Sequence, residues 1–243
     1  MGSLLRALSI SRKDIESYYG KPPLITWGLL FPSVLILAVY LKDAAGYLRV
    51  APGIIGMTLL FGNTSMAAIV VTFEKRSGTM RRLLLAPVST GTIVLGKVSS
   101  AAAYGICTSM VLTLAFVGLL GMKITSPLVF ALGLLLGAGT FALIGLTASV
   151  MVREVFEAMT LMNFFRFPLL FISGVFMPLS DLPAWLKPIA MLSPLTHVVE
   201  VLRYGVGGRC YFSSPAVPLL IVCLFFAACW GVSLPAFRRN ANR

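Results

Sequence analysis

Two long apolar runs, Gly53–Phe73 and Val98–Leu120, contain no charged residue, and the segment between them, Glu74–Lys97, is strongly basic. At 1.5 Å per residue, each run is long enough as a helix to cross a hydrocarbon layer of about 30 Å. A segment holding Lys75, Arg76, Arg81, Arg82 and Lys97 must then lie at one membrane face. Basic residues gather on cytoplasmic faces, so this face is expected to be the inner one. Composition agrees with a membrane reading: the 243 residues are 58% hydrophobic and only 12% charged, too little charge to cover a soluble domain of this length.

Four further apolar runs, about Leu24–Leu41, Leu128–Val152, Ala158–Phe176 and Val217–Phe237, bring the expected total to six spans. The first is short and starts near an interfacial Trp27. Alternate loops differ in charge by about two to one. One side collects Arg6, Arg12, Lys13, Lys21, the five basic residues of the central loop, Arg153, Arg238, Arg239 and Arg243. The other collects Lys42, Arg49, Lys123, Lys187, Arg203 and Arg209. This imbalance puts both termini in the cytoplasm. The expected fold is therefore an all-α membrane protein of six transmembrane helices occupying residues 24–243.

Before the spans, Leu4, Leu8, Ser11, Ile15, Tyr18 and Tyr19 share a helical face, with Arg6, Arg12, Lys13 and Glu16 elsewhere. Residues 1–23 are thus expected to form an amphipathic helix at the membrane interface, ended by Pro22-Pro23. No leader peptide is read ahead of the first apolar run, since a charged helix precedes it.

Within the central loop, Gly78 and Pro87 bracket Thr79–Ala86, enough for a helix of about two turns that Thr79 could cap. Arg81 and Arg82 would lie on one side and Leu83, Leu84 and Leu85 around the rest, a shape suited to docking on a protein. In the fourth predicted span, Gly133 and Gly137, continued by Gly139, Ala142 and Gly145, make a small-residue surface for close helix packing. The stretch Phe171–His197 is cut by Pro178, Pro183, Pro188 and Pro194 into apolar pieces too short to span, which reads as a re-entrant or interfacial segment.

The order of residues in these two stretches resembles the ABC-type-2 permeases, the membrane subunits of a class of ATP-driven exporters. In the central loop the match runs through Glu74, Arg76, Gly78, Thr79, Leu84, Pro87, Val88, Ser89, Gly96 and Lys97. In the later stretch it runs through Ser173, Gly174, Phe176, Pro178, Leu182, Pro183, Trp185, Pro188, Leu192, Pro194, Leu195 and Thr196. The resemblance implies that residues 74–97 form a coupling helix against a cytosolic ATPase, with Glu74, Arg76, Gly78, Thr79, Arg81, Arg82, Leu84 and Pro87 as coupling residues. It implies that residues 171–197 form a re-entrant hairpin closing the outer end of a pathway, where Gly174, Phe176, Pro178, Pro183, Trp185 and Pro194 would act as the gate. It further implies two copies of the ATPase, a second permease (identical or related), and residence in the cytoplasmic membrane of a prokaryote. ATP and Mg would sit on the partner ATPase, leaving this chain with no cofactor of its own. The cargo would be amphiphilic or hydrophobic: a drug, a lipid or a lipid-linked glycan.

Arg166 is the one charge inside a predicted span, and with Asn163 one turn away it is expected to face protein or water, either as part of the pathway or by snorkelling toward the inner headgroups or packing on carbonyl groups. Other chemistry is poorly supported. Gly91–Lys97 fits G-x-x-x-x-G-K, but Val98 stands where a magnesium-binding Ser or Thr is needed and no strand precedes it. A single histidine, His197, excludes a multi-histidine metal site, and Cys107, Cys210, Cys223 and Cys229 form neither a C-x-x-C nor a disulfide framework; only Cys210 is expected to be exposed. No catalytic or metal-binding residue is assigned. Without exposed aromatics among basic residues, nucleic acid is not expected as a partner. Two other readings stay open: a membrane-embedded enzyme acting on lipid with His197 as base and Glu200 orienting it, and a structural or sensory membrane subunit.

Overall fold

The structure is a computed structural model that describes residues 3–19, 33, 34, 37 and 47–241. The first predicted span, Leu24–Leu41, lies almost wholly outside the described residues. The remainder is helical. In chain order the elements are α1 (Ser3–Asp14), a π-helical turn (Ile15–Tyr19), α2 (Tyr47–Arg76), α3 (Thr79–Leu85), α4 (Thr90–Leu120), α5 (Pro127–Met151) and α6 (Val155–Ile172). A 3₁₀ turn (Leu179–Asp181), α7 (Lys187–Met191), α8 (Pro194–Gly207) and α9 (Ala216–Ala241) complete it. Among the described residues five helices, α2, α4, α5, α6 and α9, are long and apolar enough to cross a membrane. They correspond to the second through sixth predicted spans.

α2 is the axis of the bundle. Its apolar side chains are buried on nearly every side, with Ile54, Ile55, Met57, Leu59 and Leu60 packed against α5, α6 and α8. The other long helices turn leucines outward: Leu114, Leu135 and Leu220 are each at least 60% exposed, an apolar surface of the kind that faces lipid or another protein. The small-residue surface of α5 does what its composition predicts. A methyl at Gly133 would fall 2.7 Å from Val201, at Gly137 2.9 Å from Leu59 and Val198, and at Gly145 2.4 Å from the Thr64 carbonyl oxygen. Side chains of α2 and α8 thus fill the positions that lack a side chain at Gly133 and Gly137, and at Gly145 the α2 backbone itself comes close.

Two elements differ from the sequence expectation. The span expected from Val98 starts at Thr90, because Ser89 caps the helix there: its hydroxyl accepts from the Thr92 amide at 3.3 Å. Gly91–Lys97 is therefore the first two turns of α4, with none of the loop geometry that cradles a phosphate. The proline-cut stretch also continues beyond His197, since the helix beginning at Pro194 runs to Gly207. Leu195, Val198, Val199, Val201 and Leu202 of α8 are fully buried among α2, α5 and α9. Its apolar positions all face inward, and Gly208 (φ 65°) ends it in the left-handed conformation.

α1 packs on the first half of α4. It buries Ala7, Ile10, Ser11 and Asp14 and exposes Leu4, Leu5 and Leu8. Leu4, Leu8 and Ile15 of the expected apolar face are thus outward, but Ser11 and Tyr18 belong to a second, protein-facing side. Gly96 permits that contact: a methyl there would lie 2.8 Å from Ile10 Cβ and 3.0 Å from the Ala7 carbonyl oxygen.

Candidate functional site

The central loop sits at the end of the bundle where α2 and α5 finish and α4 and α6 begin. α3 spans Thr79–Leu85, close to the two turns expected. Its N-cap is Gly78, at φ 74°, not Thr79; no side chain caps it, and Thr79 is the first helical residue, its hydroxyl 3.0 Å from that of Ser77. The positive φ is what reverses the chain between α2 and α3. Met80 is buried in a cluster with Ile93, Val94 and Phe237, while Leu83 and Leu84 pack partly against it. Arg81, Arg82 and Pro87 are exposed, and Leu85 is 87% exposed. A short basic helix is therefore anchored by one apolar side and offers two guanidinium groups and a leucine on the other.

The loop is braced on both flanks. On one, Arg6 of α1 donates to the Pro87 carbonyl oxygen at 2.5 Å. On the other, the Lys75 ammonium donates to the carbonyl oxygens of Ser149 (3.0 Å) and Val152 (3.1 Å) at the C-terminal end of α5. A cation is favoured there because the last helical carbonyls are unsatisfied and the helix dipole ends negative. Arg76 pairs with Glu154 at 2.9 Å, just before α6.

Behind the loop lies a buried charge cluster. Glu74 and Asp14 are 0% exposed and Lys97 2%. The Lys97 ammonium donates to both Asp14 carboxylate oxygens at 2.9 Å and pairs with Glu74. Lys13 pairs with Glu74 and lies 2.9 Å from Asp14, and the Ser100 hydroxyl donates to Asp14 at 3.3 Å. Two carboxylates and two ammonium groups balance, which is how buried charge is tolerated. Burial works against the Lys13 charge, but hydrogen bonds from its ammonium to Glu74 and Asp14, and their attraction, outweigh it and raise its pKa above the ordinary lysine value. Of the coupling residues expected from sequence, Glu74 thus faces inward, whereas Arg76, Arg81, Arg82 and Pro87 face out. Asp14 and Lys97 were not assigned a role there. The available signals were a lone Asp closing an amphipathic helix and a Lys placed where an apolar run begins.

The residues expected at the pathway and gate fall into two groups. Arg166 is 4% exposed on the side of α6 facing α2, its guanidinium carbon 5.0 Å from the centre of the Phe61 ring. It therefore faces protein, as expected of a charge in a span. Half-buried Asn163 accepts from its Nη1 at 3.4 Å. The other group lies about two turns further along, past the end of α6. Gly174 has φ 73° and turns the chain, and its carbonyl oxygen accepts from Arg203 Nη2 at 2.9 Å. Arg203 also pairs with the buried Glu200, whose other oxygen accepts from the Tyr211 amide at 2.6 Å. Ser173 and Ser193 hydroxyls meet at 2.7 Å. Phe176 rests against Phe171 (5.8 Å between ring centres), Pro178 precedes the 3₁₀ turn, and Pro194 opens α8. Pro183 accepts, through its carbonyl oxygen, the amides of Leu186 and Lys187, and Trp185 is 72% exposed.

His197 is 1% exposed, between Phe212 and Phe225, with Nε2 2.9 Å from the Met191 carbonyl oxygen. Glu200 is occupied by Arg203 and Tyr211, so it does not orient His197 as a base would require. Cys210 is half-buried, its Sγ 3.1 Å from the Phe212 carbonyl oxygen, and Cys107 and Cys223 are the exposed cysteines, on long apolar helices.

Helices of membrane length, a braced basic helix at one end and a glycine-turned, proline-cut segment at the other define a multi-pass membrane protein of the permease kind. A family model described as ABC-2 type transporter matches residues 6–206, and the chain belongs to that family. It is 24% identical over 221 residues to an inner membrane transport permease, YadH, of Escherichia coli, covering 87% of this chain and 85% of the relative. It is 30% identical over 158 residues to a putative transport permease, ycf38, of Porphyra purpurea, covering 63% and 53% of the two chains. A probable multidrug ABC transporter permease, YbhR, of Escherichia coli is 23% identical over 157 residues, covering 63% and 42%. Family and relatives point to a transport permease and away from a lipid-modifying enzyme.

Proposed function

We propose that this chain is the permease subunit of an ATP-driven exporter and that α3 is the element through which the ATPase acts. The observation that carries the reading is the bracing of α3. Its exposed side offers Arg81, Arg82 and Leu85, while the loop is tied to α1 through Arg6 and to the α5–α6 connection through Lys75 and Arg76. A push on such a surface moves whole helices, where an unbraced loop would absorb it. The basic end then lies in the cytoplasm with both termini, in the cytoplasmic membrane of a prokaryote. ATP and Mg reside on the ATPase, two copies of which serve a pair of permeases. The exposed aromatic side of α6 (Phe156, Phe164, Phe165 and Phe171) suits a second permease and an amphiphilic or hydrophobic cargo between the two. Gly174 to Pro194, clamped by Arg203 and Glu200, then forms the outer gate, and the Glu74 cluster transmits motion from inside without touching the ATPase.

The test is reversal of the docking charge. Arg81→Glu with Arg82→Glu is expected to leave folding unchanged, since both side chains are exposed, but to abolish co-purification with a cognate ABC ATPase and ATP hydrolysis by the reconstituted complex in lipid. Thr79→Pro, at the first helical position where proline is tolerated, is expected to have a smaller effect than the charge reversal. Full ATP hydrolysis by the double variant would remove α3 from the role.

A further inference from the structure

We infer that Arg166 is the centre of a binding site for the anionic headgroup of an amphiphile, set in the seam between α2 and α6. The inference needs only α6 in the membrane, so it stands or falls apart from coupling to an ATPase.

The geometry is that of a cation waiting for an anion. Arg166 Nε and Nη2 are buried and have no hydrogen-bond partner among the described residues. Nη1 reaches Asn163 at a long 3.4 Å, and no carboxylate among the described residues pairs with Arg166. The same chain shows what satisfied charge looks like: every ammonium and carboxylate in the Glu74 cluster has a partner. Phe61 offers the guanidinium a π face, which favours the charge but accepts no in-plane N–H. The two unpaired nitrogens lie on one edge of the guanidinium plane. That edge is closed to solvent in this conformation, and an opening of the α2–α6 seam would turn its parallel N–H groups toward two oxygens, the fork that fits phosphate or carboxylate.

The surroundings specify an amphiphile over a bare anion. Phe61 meets Phe167 edge-on at 6.1 Å, and Met159 and Phe167, each nearly half exposed, stand with Asn163 on the flank of α6 beside Arg166. A headgroup on the guanidinium would place its apolar part on these side chains. Leaving such donors unpaired inside a bilayer is costly, and a charged residue retained there is expected to serve a ligand.

The experiment uses the full chain in nanodiscs of phosphatidylcholine with or without phosphatidylglycerol, reading retained lipid by native mass spectrometry and the thermal midpoint. The wild type is expected to retain phosphatidylglycerol over phosphatidylcholine by about tenfold, the worth of one charge-assisted hydrogen bond, and to gain stability from it. Arg166→Met should lose that preference and Arg166→Lys, a point charge without the fork, most of it. Arg209→Met, an exposed charge elsewhere, should keep it. Should Arg166→Met fail to fold, the Arg166→Lys comparison decides. Inorganic phosphate protecting the wild type in phosphatidylcholine, and not the Lys variant, would support the anion site but assign it to a soluble anion. Equal phosphatidylglycerol retention by wild type and Arg166→Lys, or no preference in the wild type, would overturn the inference.

Discussion

Lys97→Met is the most informative single change at the basic end. The methionine keeps the length of the side chain and removes the charge, leaving Asp14 and Glu74, both fully buried, to share Lys13 alone. Breaking a buried pair from one side costs about 3–5 kcal/mol, because the abandoned charge stays out of water. α1 docking is therefore weakened by about 3–5 kcal/mol.

Hydrogen exchange of the α1 amides in nanodiscs reads this opening directly. Protection of residues 3–14 should fall by two to three orders of magnitude at pH 7, roughly one tenfold step per 1.4 kcal/mol. The double variant Lys97→Met with Glu74→Gln restores charge balance and should recover at least half the loss, whereas Lys97→Arg should stay closer to the wild type. If Lys97→Met protects α1 as well as the wild type at pH 7, or if Glu74→Gln adds to the damage instead of repairing it, the cluster is not what holds α1 in place.

Two further outcomes follow. Gly96→Val places branched carbon where Ile10 Cβ would stand 2.8 Å from the first added atom, so α1 should lose protection by about 1–3 kcal/mol while α9 exchange is unchanged. In a cysteine-free background, an impermeant thiol reagent outside intact cells should label Ser180→Cys, exposed at the end opposite α3, and should label Ser77→Cys only after permeabilisation. Labelling of position 77 from outside would invert the assignment of the basic end.

The parts of this fold that could be read from sequence are those where one residue type admits one environment. Uncharged runs longer than a bilayer leave no soluble alternative, and Gly133, Gly137 and Gly145 on α5 leave a surface that a neighbouring helix fills closely. Helix starts were less legible, since a cap is one hydroxyl among many: Ser89 moved the start of α4 eight residues ahead of the apolar run, and Gly78 took the cap position expected of Thr79. α8 was missed for another reason. Its apolar side chains read as the end of a proline-cut loop, and only burial among three helices shows that the segment is core.

The charge cluster is the sharpest case of information present but unreadable. Lys97 counts in sequence as one more positive charge on a basic loop, a contribution to orientation. In the fold it has left the surface, and its charge is spent on Asp14, 83 positions away, and Glu74. The same holds for Gly96, whose value lies in an Ile10 contact no local pattern records. A Gly-Lys pair before an apolar run therefore has a physical meaning here: the glycine admits α1 and the lysine binds it. Local pattern identifies where such a pair stands, and long-range pairing decides what it does. On that reasoning the basic loop divides into an inward half, Glu74 with Gly96 and Lys97, which fixes α1 to the bundle, and an outward side of α3, where Arg81, Arg82 and Leu85 are exposed.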